Sequence, residues 1–218
     1  MLSPIFSLLF IFSLTSCSLF KSQNIQNESV QTLVGFVQGE GEGKGRLGIG
    51  DNQYLFGFDS LLKENNDWLL AANIPLHGEE ILLLPNLKLE SAPKDSQSLE
   101  RRIELGISDY LKSKKKNPEL ARLFMVELRH LMRVVFAKKL NLDLKCTELQ
   151  CQMGEVIYQV KASSKQISLK KSLNDDYEIE FVAMNLTDSI FKRSSVFLHS
   201  KNKTSASPTL LSLELFWN

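Results

Sequence analysis

An α+β fold is what this chain predicts: one curved antiparallel sheet with helices against its concave side. Three observations carry the prediction. Short strand-like runs fill the stretch from Val34 to Leu84, and more follow from Val156 to Trp217. Two amphipathic helical segments lie between them. Strands and helices are grouped in sequence, whereas a parallel sheet would alternate them.

Leu47-Gly48-Ile49, Tyr54 to Phe58, Trp68 to Ile74 and Glu80 to Leu84 read as strands. The turns between them are Gly50-Asp51-Asn52, Asn65-Asn66-Asp67 and Pro75 to Gly78. Leu69 to Ala72 and Ile81 to Leu84 do not alternate, so both faces are apolar. Such a strand either packs helices or lines an apolar cavity. Ser98 to Lys112 places Leu99, Ile103, Ile107, Tyr110 and Leu111 at helical spacing, with Arg101, Arg102 and Glu104 opposite. Lys114 to Pro118 interrupts the pattern, and Pro118 suits the first turn of the next helix. That helix is expected from Glu119 to Lys139. Its apolar stripe is Leu120, Leu123, Phe124, Leu128, Leu131, Val134 and Val135, and Arg122, Arg129, His130, Arg133, Lys138 and Lys139 make its other side basic. Strands resume at Val156 to Val160, Ile167 to Lys170, Tyr177 to Met184 and Ser195 to His199. In the last run, Leu211, Leu213, Leu215 and Trp217 alternate with Ser212, Glu214 and Phe216, a period of two.

Hydrophobic content of 43% and charged content of 23% are ordinary for a globular protein, and a net charge of +1 gives no global field for nucleic acid. The chain starts with a short apolar run, Ile5 to Leu14, too short to cross about 30 Å of hydrocarbon and suited to a signal-peptide core. The run ends in Leu14-Thr15-Ser16-Cys17, which resembles a bacterial lipobox: an aliphatic residue, two small residues and the cysteine that is acylated. Met1 to Pro4 lack the usual Lys or Arg, and an ordinary cleaved signal is the competing reading. The division expected is a signal peptide at 1–16, a lipidated tether at 17–33 and a folded domain at 34–218. Ser18, where an Asp would retain the protein at the inner membrane, suggests sorting to the outer membrane, facing the periplasm. Cys146 and Cys151 then lie in an oxidising space, where a disulfide is the natural reading. A metal pair is the alternative, but it would have two ligands and no nearby His.

Several motif matches point nowhere. Gly43-Lys44-Gly45-Arg46-Leu47-Gly48 fits G-x-G-x-x-G, yet a strand continues where a dinucleotide site needs a helix. The glycines instead suit a strongly curved first strand. Ser60-Leu61-Leu62-Lys63 and Ser113-Lys114-Lys115-Lys116 fit S-x-x-K, without its companion triplets. His77, His130 and His199 are scattered. No catalytic residue, metal or cofactor is expected, and the chain is read as a non-enzyme and a monomer.

Gly43 to Ile49, Phe56-Gly57-Phe58, Trp68-Leu69-Leu70, Ile74-Pro75-Leu76-His77-Gly78-Glu79 and Leu82-Leu83-Leu84, in this order, resemble the LolB family of outer-membrane lipoprotein receptors. The wider group includes LolA- and LppX-like lipid-binding proteins. The most specific piece is Pro75 to Glu79 between two apolar strands, and the closing strand to Trp217 is also similar. The resemblance implies an incomplete β-barrel with a helical lid over an apolar cavity. It further implies acyl chains of lipoproteins as cargo, a periplasmic LolA-like carrier as partner, and a protruding-loop leucine, here Leu76 after Pro75, that enters the outer membrane. Candidates to line the cavity are Phe56, Phe58, Trp68, Leu70 and Leu82 from the sheet, and Leu123, Phe124 and Leu131 from the helix. An envelope lipoprotein of the same fold with a structural or assembly role and no cargo is the other expectation. The basic side of the second helix could meet phospholipid head groups.

Overall fold

A computed structural model describes residues 29–63, 67–76, 78–84, 99–201 and 209–218. The leader, Cys17 and His77 lie outside the described residues. The elements are α1 (Val30–Val34), β1 (Gly41–Ile49), β2 (Asn52–Leu62), β3 (Trp68–Ile74), β4 (Gly78–Leu84), α2 (Leu99–Ser113), α3 (Leu120–Val135), β5 (Lys145–Cys146), β6 (Gln150–Met153), β7 (Val156–Ser163), β8 (Gln166–Ser172), β9 (Tyr177–Thr187), β10 (Ile190–Ser200) and β11 (Thr209–Trp217).

The strands form one curved antiparallel sheet in the order β4-β3-β2-β1-β11-β10-β9-β8-β7-β6-β5. Two meanders meet where the first strand pairs with the last, from Gly43 opposite Trp217 to Ile49 opposite Leu211. The sheet is open, with β4 and β5 as its end strands. The α+β class with an antiparallel sheet therefore holds.

Local chemistry explains the register. In β2, Phe56, Phe58 and Ser60 are buried while Leu55, Gly57, Asp59 and Leu61 are exposed. Gly43 and Gly45 stand opposite Phe58 and Phe56 on the neighbouring strand. A Cβ on Gly45 would lie 2.2 Å from the Phe56 ring, so the two glycines let both rings lie flat over the backbone of β1. That packing is what the G-x-G repeat provides. In β11, Leu211, Leu213, Leu215 and Trp217 are buried as the alternation predicts. Glu214, on the opposite face, is buried too, between the guanidinium groups of Arg46 and Arg193.

α2 buries Leu99, Ile103, Ile107 and Leu111. It ends in a Schellman motif: Lys115 is left-handed at φ 54°, and the Lys116 N–H donates to the Leu111 carbonyl at 2.8 Å. α3 stops at Val135, short of Lys139, and Phe136 to Leu140 continue as turns ending at a left-handed Asn141 (φ 53°). Both helices pack on the sheet, α2 against β1 and β4 and α3 against β6 and β9.

Three features depart from the sequence reading. The stretch expected to finish the tether is α1, capped by Ser29 accepting from the Thr32 N–H, with Val30, Leu33 and Val34 buried. The folded body thus begins before Val34, because those three side chains contribute apolar area to the core. β5 and β6 were hidden in a polar stretch; they form a hairpin with Cys146 directly opposite Cys151, and a disulfide joins the two. The strands apolar on both faces split. Leu70, Ala72 and Leu82 join the core, while Leu69 and Ala71 are half-buried and Ile81 is 40% exposed on the other side.

Candidate lipid-contact site

β3 ends and β4 begins at the pair Ile74 opposite Gly78, and Pro75 and Leu76 lie in the turn after β3. Pro75 locks φ and offers no N–H, which ends the strand. Gly78 takes φ 81°, open to glycine without strain. Leu76 takes φ 69°, in the left-handed region. For a branched side chain that conformation costs about 1–2 kcal/mol. Leu76 is also 104% exposed, so its side chain touches no part of the core. A leucine held in a strained conformation, with no apolar contact to offset the strain, is better explained by something outside the fold than by the fold.

The residues expected to line a cavity mostly meet in one core. Phe56 and Phe58 pack edge-to-face at 6.4 Å, Phe58 meets Trp217 at 5.0 Å, and Trp68 meets Phe136 at 5.4 Å just beyond α3. The Trp68 indole N–H donates to the Gly39 carbonyl at 2.9 Å, which satisfies its one polar atom. Leu70, Leu82, Phe124 and Leu131 are fully buried. Leu123 departs from the expectation: it is 39% exposed, because it falls one position beyond the buried stripe of α3. Between α3 and the sheet, beside Trp68, Met132 and Leu215, the described residues leave an apolar cavity of about 20 Å³. A typical ligand pocket is about 300–1,000 Å³, so side chains fill this interior.

The helices are also pinned by buried ion pairs. Glu80 on β4 is buried and accepts from Arg102 Nε on α2 at 2.8 Å; this pairing raises the guanidinium pKa. Glu100, 1% exposed, pairs with Arg129 across the α2–α3 contact. Burial pushes the Glu100 carboxyl above the usual range despite Arg129. Glu127 on α3 receives Lys171 Nζ at 2.8 Å, the Tyr158 hydroxyl at 3.3 Å and the His130 ring at 3.3 Å. Burial raises the Glu127 carboxyl, but the hydrogen bonds from His130 and Lys171 together outweigh it, and its pKa lies below the ordinary range. Burial first, and the Glu127 charge second, push the Tyr158 phenol far up, so it stays protonated. The basic side of α3 is therefore partly consumed inside the molecule. A signal was present: Glu100 and Glu127 both sit on the apolar stripes of their helices, where a carboxylate requires a partner.

One further polar cluster lies on the sheet: the Ser168 hydroxyl donates to Glu180 at 2.6 Å, and His199 Nδ1 stands 3.1 Å from the Thr209 hydroxyl. His199 meets Glu180 at 3.4 Å on the outer face of the sheet, and the hydrogen bond from His199 holds the Glu180 carboxyl below its usual range. Among the described residues, no group of three His, Cys, Asp or Glu is placed to hold a metal ion, and no helix is long and apolar enough to cross a membrane. No family model, no curated protein and no solved structure matches this chain.

Proposed function

We propose that this protein works at a lipid surface, as a LolB-like lipoprotein anchored through Cys17 in the outer membrane, with the β3–β4 turn as its apolar contact. The observation that carries the reading is Leu76: fully exposed, left-handed and without a role in the core. Burying one leucine side chain in hydrocarbon returns about 1.5–3 kcal/mol, enough to offset the cost of the turn. On this reading the acyl chains of lipoproteins are the cargo, received from a periplasmic carrier and passed to the membrane at Leu76. Helices α2 and α3 cover the apolar concave face in a closed form, and cargo enters when they lift from the sheet. The apolar residues beneath them, Phe56, Phe58, Trp68, Leu70 and Leu82, with Phe124 and Leu131 from α3, then become the lining.

A second reading keeps the surface contact and drops the cargo: an envelope lipoprotein with a structural or assembly role. The filled interior, with its cavity of about 20 Å³, favours it. One experiment separates the two. The full chain carrying Cys17→Ala, which removes the anchor, is incubated with a fluorescent fatty acid and its co-purified lipid is measured by mass spectrometry. Saturable uptake of one acyl chain per protein supports transport. An empty protein that takes up nothing, while still binding vesicles, refutes transport and leaves the second reading.

A further inference from the structure

Four neighbouring strands bring four polar side chains into one chain of contacts on the outer face of the sheet. Ser168 lies on β8, Glu180 on β9, His199 on β10 and Thr209 on β11. The Ser168 hydroxyl donates to Glu180 Oε1 at 2.6 Å, and Glu180 Oε2 stands 3.4 Å from His199 Nε2. On the other side of the ring, His199 Nδ1 stands 3.1 Å from the Thr209 hydroxyl. The four residues are spread over more than forty positions of sequence, so only the strand order brings them together.

A β-bulge puts the last member in place. Leu198 pairs with Leu211, but His199 pairs with Thr209, so β11 carries one extra residue, Leu210. Leu210 and Leu211 are both buried. In a regular pleat Thr209 would face the core, as Leu211 does two residues later. The extra residue turns it to the face that His199 occupies, and such bulges commonly re-aim a side chain beside a reacting group.

The proton positions follow from the carboxylate. Hydrogen bonds from His199 and Ser168 hold the Glu180 carboxyl below its usual range, against the effect of burial. A carboxylate only accepts, so in the neutral imidazole Nε2 carries the proton and Nδ1 presents its lone pair to the Thr209 hydroxyl. Phe197 stacks on the imidazole, with ring centres 5.2 Å apart and 25° between the planes, which fixes the ring. The side chains of His199 and Glu180 are 22% and 25% exposed, so the group is reachable from solvent. A hydroxyl, a base within hydrogen-bond reach and a third group that orients the base are the parts of an activated nucleophile.

We propose that Thr209 is the nucleophile of an acyl-transfer site that takes carboxylic esters, with His199 as general base and Glu180 as positioning residue. Thr209 Oγ attacks the ester carbonyl carbon while its proton passes to His199 Nδ1. The tetrahedral adduct collapses, the bond to the alcohol oxygen breaks, and the Nδ1 proton leaves with the alcohol. Thr209 is then an acyl ester. Water attacks that ester, gives a proton to Nδ1, and the acid departs as the proton returns to Thr209. Phe197 offers apolar surface beside the ring for the acyl group. The site goes beyond the lipid-surface reading and needs neither Leu76 nor a cargo.

The test uses the full chain with Cys17→Ala and p-nitrophenyl butyrate as the ester. Release of p-nitrophenol is followed by absorbance, and the acylated residue is located by mass spectrometry of an acid-quenched digest. One butyryl group on Thr209 is expected. General-base assistance contributes about 10²–10⁴-fold, so His199→Ala should slow the acylation by at least about 100-fold. Thr209→Val, of the same shape, should abolish the adduct, and Thr209→Ser should retain it. Thermal melts of each variant show that the fold is intact. Glu180→Gln should slow acylation and Glu180→Asp should restore part of the rate, a difference that lost packing alone would not produce. Absence of an adduct on Thr209 in the parent, or equal rates of acylation in the parent and a folded His199→Ala, overturns the site. Equal rates in Glu180→Gln and the parent overturn the role given to Glu180.

Discussion

Leu76 is the position where fold and function can be separated most cleanly. Its side chain is 104% exposed, so replacing it removes no contact within the protein. Leu76→Glu should therefore leave thermal stability within the roughly 0.5 kcal/mol scatter of surface substitutions. Leu76→Gly makes a stronger demand. Its φ of 69° costs a leucine about 1–2 kcal/mol and costs glycine nothing, while glycine's extra freedom in the unfolded chain returns about 0.5–1 kcal/mol of that. The glycine variant should be as stable as the parent, or up to about 1.5 kcal/mol more stable. At a membrane the order reverses. A leucine fully available for insertion contributes about 1.5–3 kcal/mol, which is about 10- to 100-fold in partitioning. Both variants should lose that factor in vesicle sedimentation, measured on the full chain with Cys17→Ala so that the anchor does not mask it. Parent-like vesicle binding by stable Leu76→Glu and Leu76→Gly proteins would show that the strain serves something other than lipid contact.

Three further outcomes test the framework. Gly45→Ala should lower stability by about 1–3 kcal/mol in denaturant unfolding, because its Cβ would stand 2.2 Å from the Phe56 ring; Phe56→Leu in the same chain should recover part of that loss. Glu127→Gln should cost about 1–3 kcal/mol at neutral pH by leaving Lys171 and the Tyr158 hydroxyl short of their acceptor. The Glu127 pKa is lower in the folded than in the unfolded protein, so its contribution is present above the ordinary carboxylate pKa near 4.5 and is lost as pH falls through the folded value. The Glu127→Gln unfolding curve should accordingly be flatter than the parent's in acid, and parallel curves would contradict the assignment. Replacing both Cys146 and Cys151 with serine should reduce stability by about 2 kcal/mol without loss of fold, the value for so short a closed loop, measured by urea unfolding.

Much of the architecture was legible in the chain. Period-two alternation in Leu211 to Trp217 identified a strand with one buried face, and the spacing of Leu99, Ile103, Ile107 and Leu111 identified a helix, because burial of one face imposes its period on the residues that line it. The Pro75 and Gly78 punctuation located the turn that holds Leu76. Periodicity reports which face of an element is buried, not what covers it. It carried no information that β1 would pair with β11 and join the two meanders, since that contact spans most of the chain. Nor could it foresee that Val30, Leu33 and Val34 would leave the supposed tether for the core, or that Glu100 and Glu127 would turn inward to meet Arg129 and Lys171. Leu76 shows the same division. Its identity and its turn are local and were written in Pro75 to Gly78, but its full exposure depends on where the rest of the sheet stops. The cavity is the sharpest case: the same apolar side chains can enclose a hollow or fill it, and only the distance between α3 and the sheet, set by the summed volume of everything packed between them, decides which.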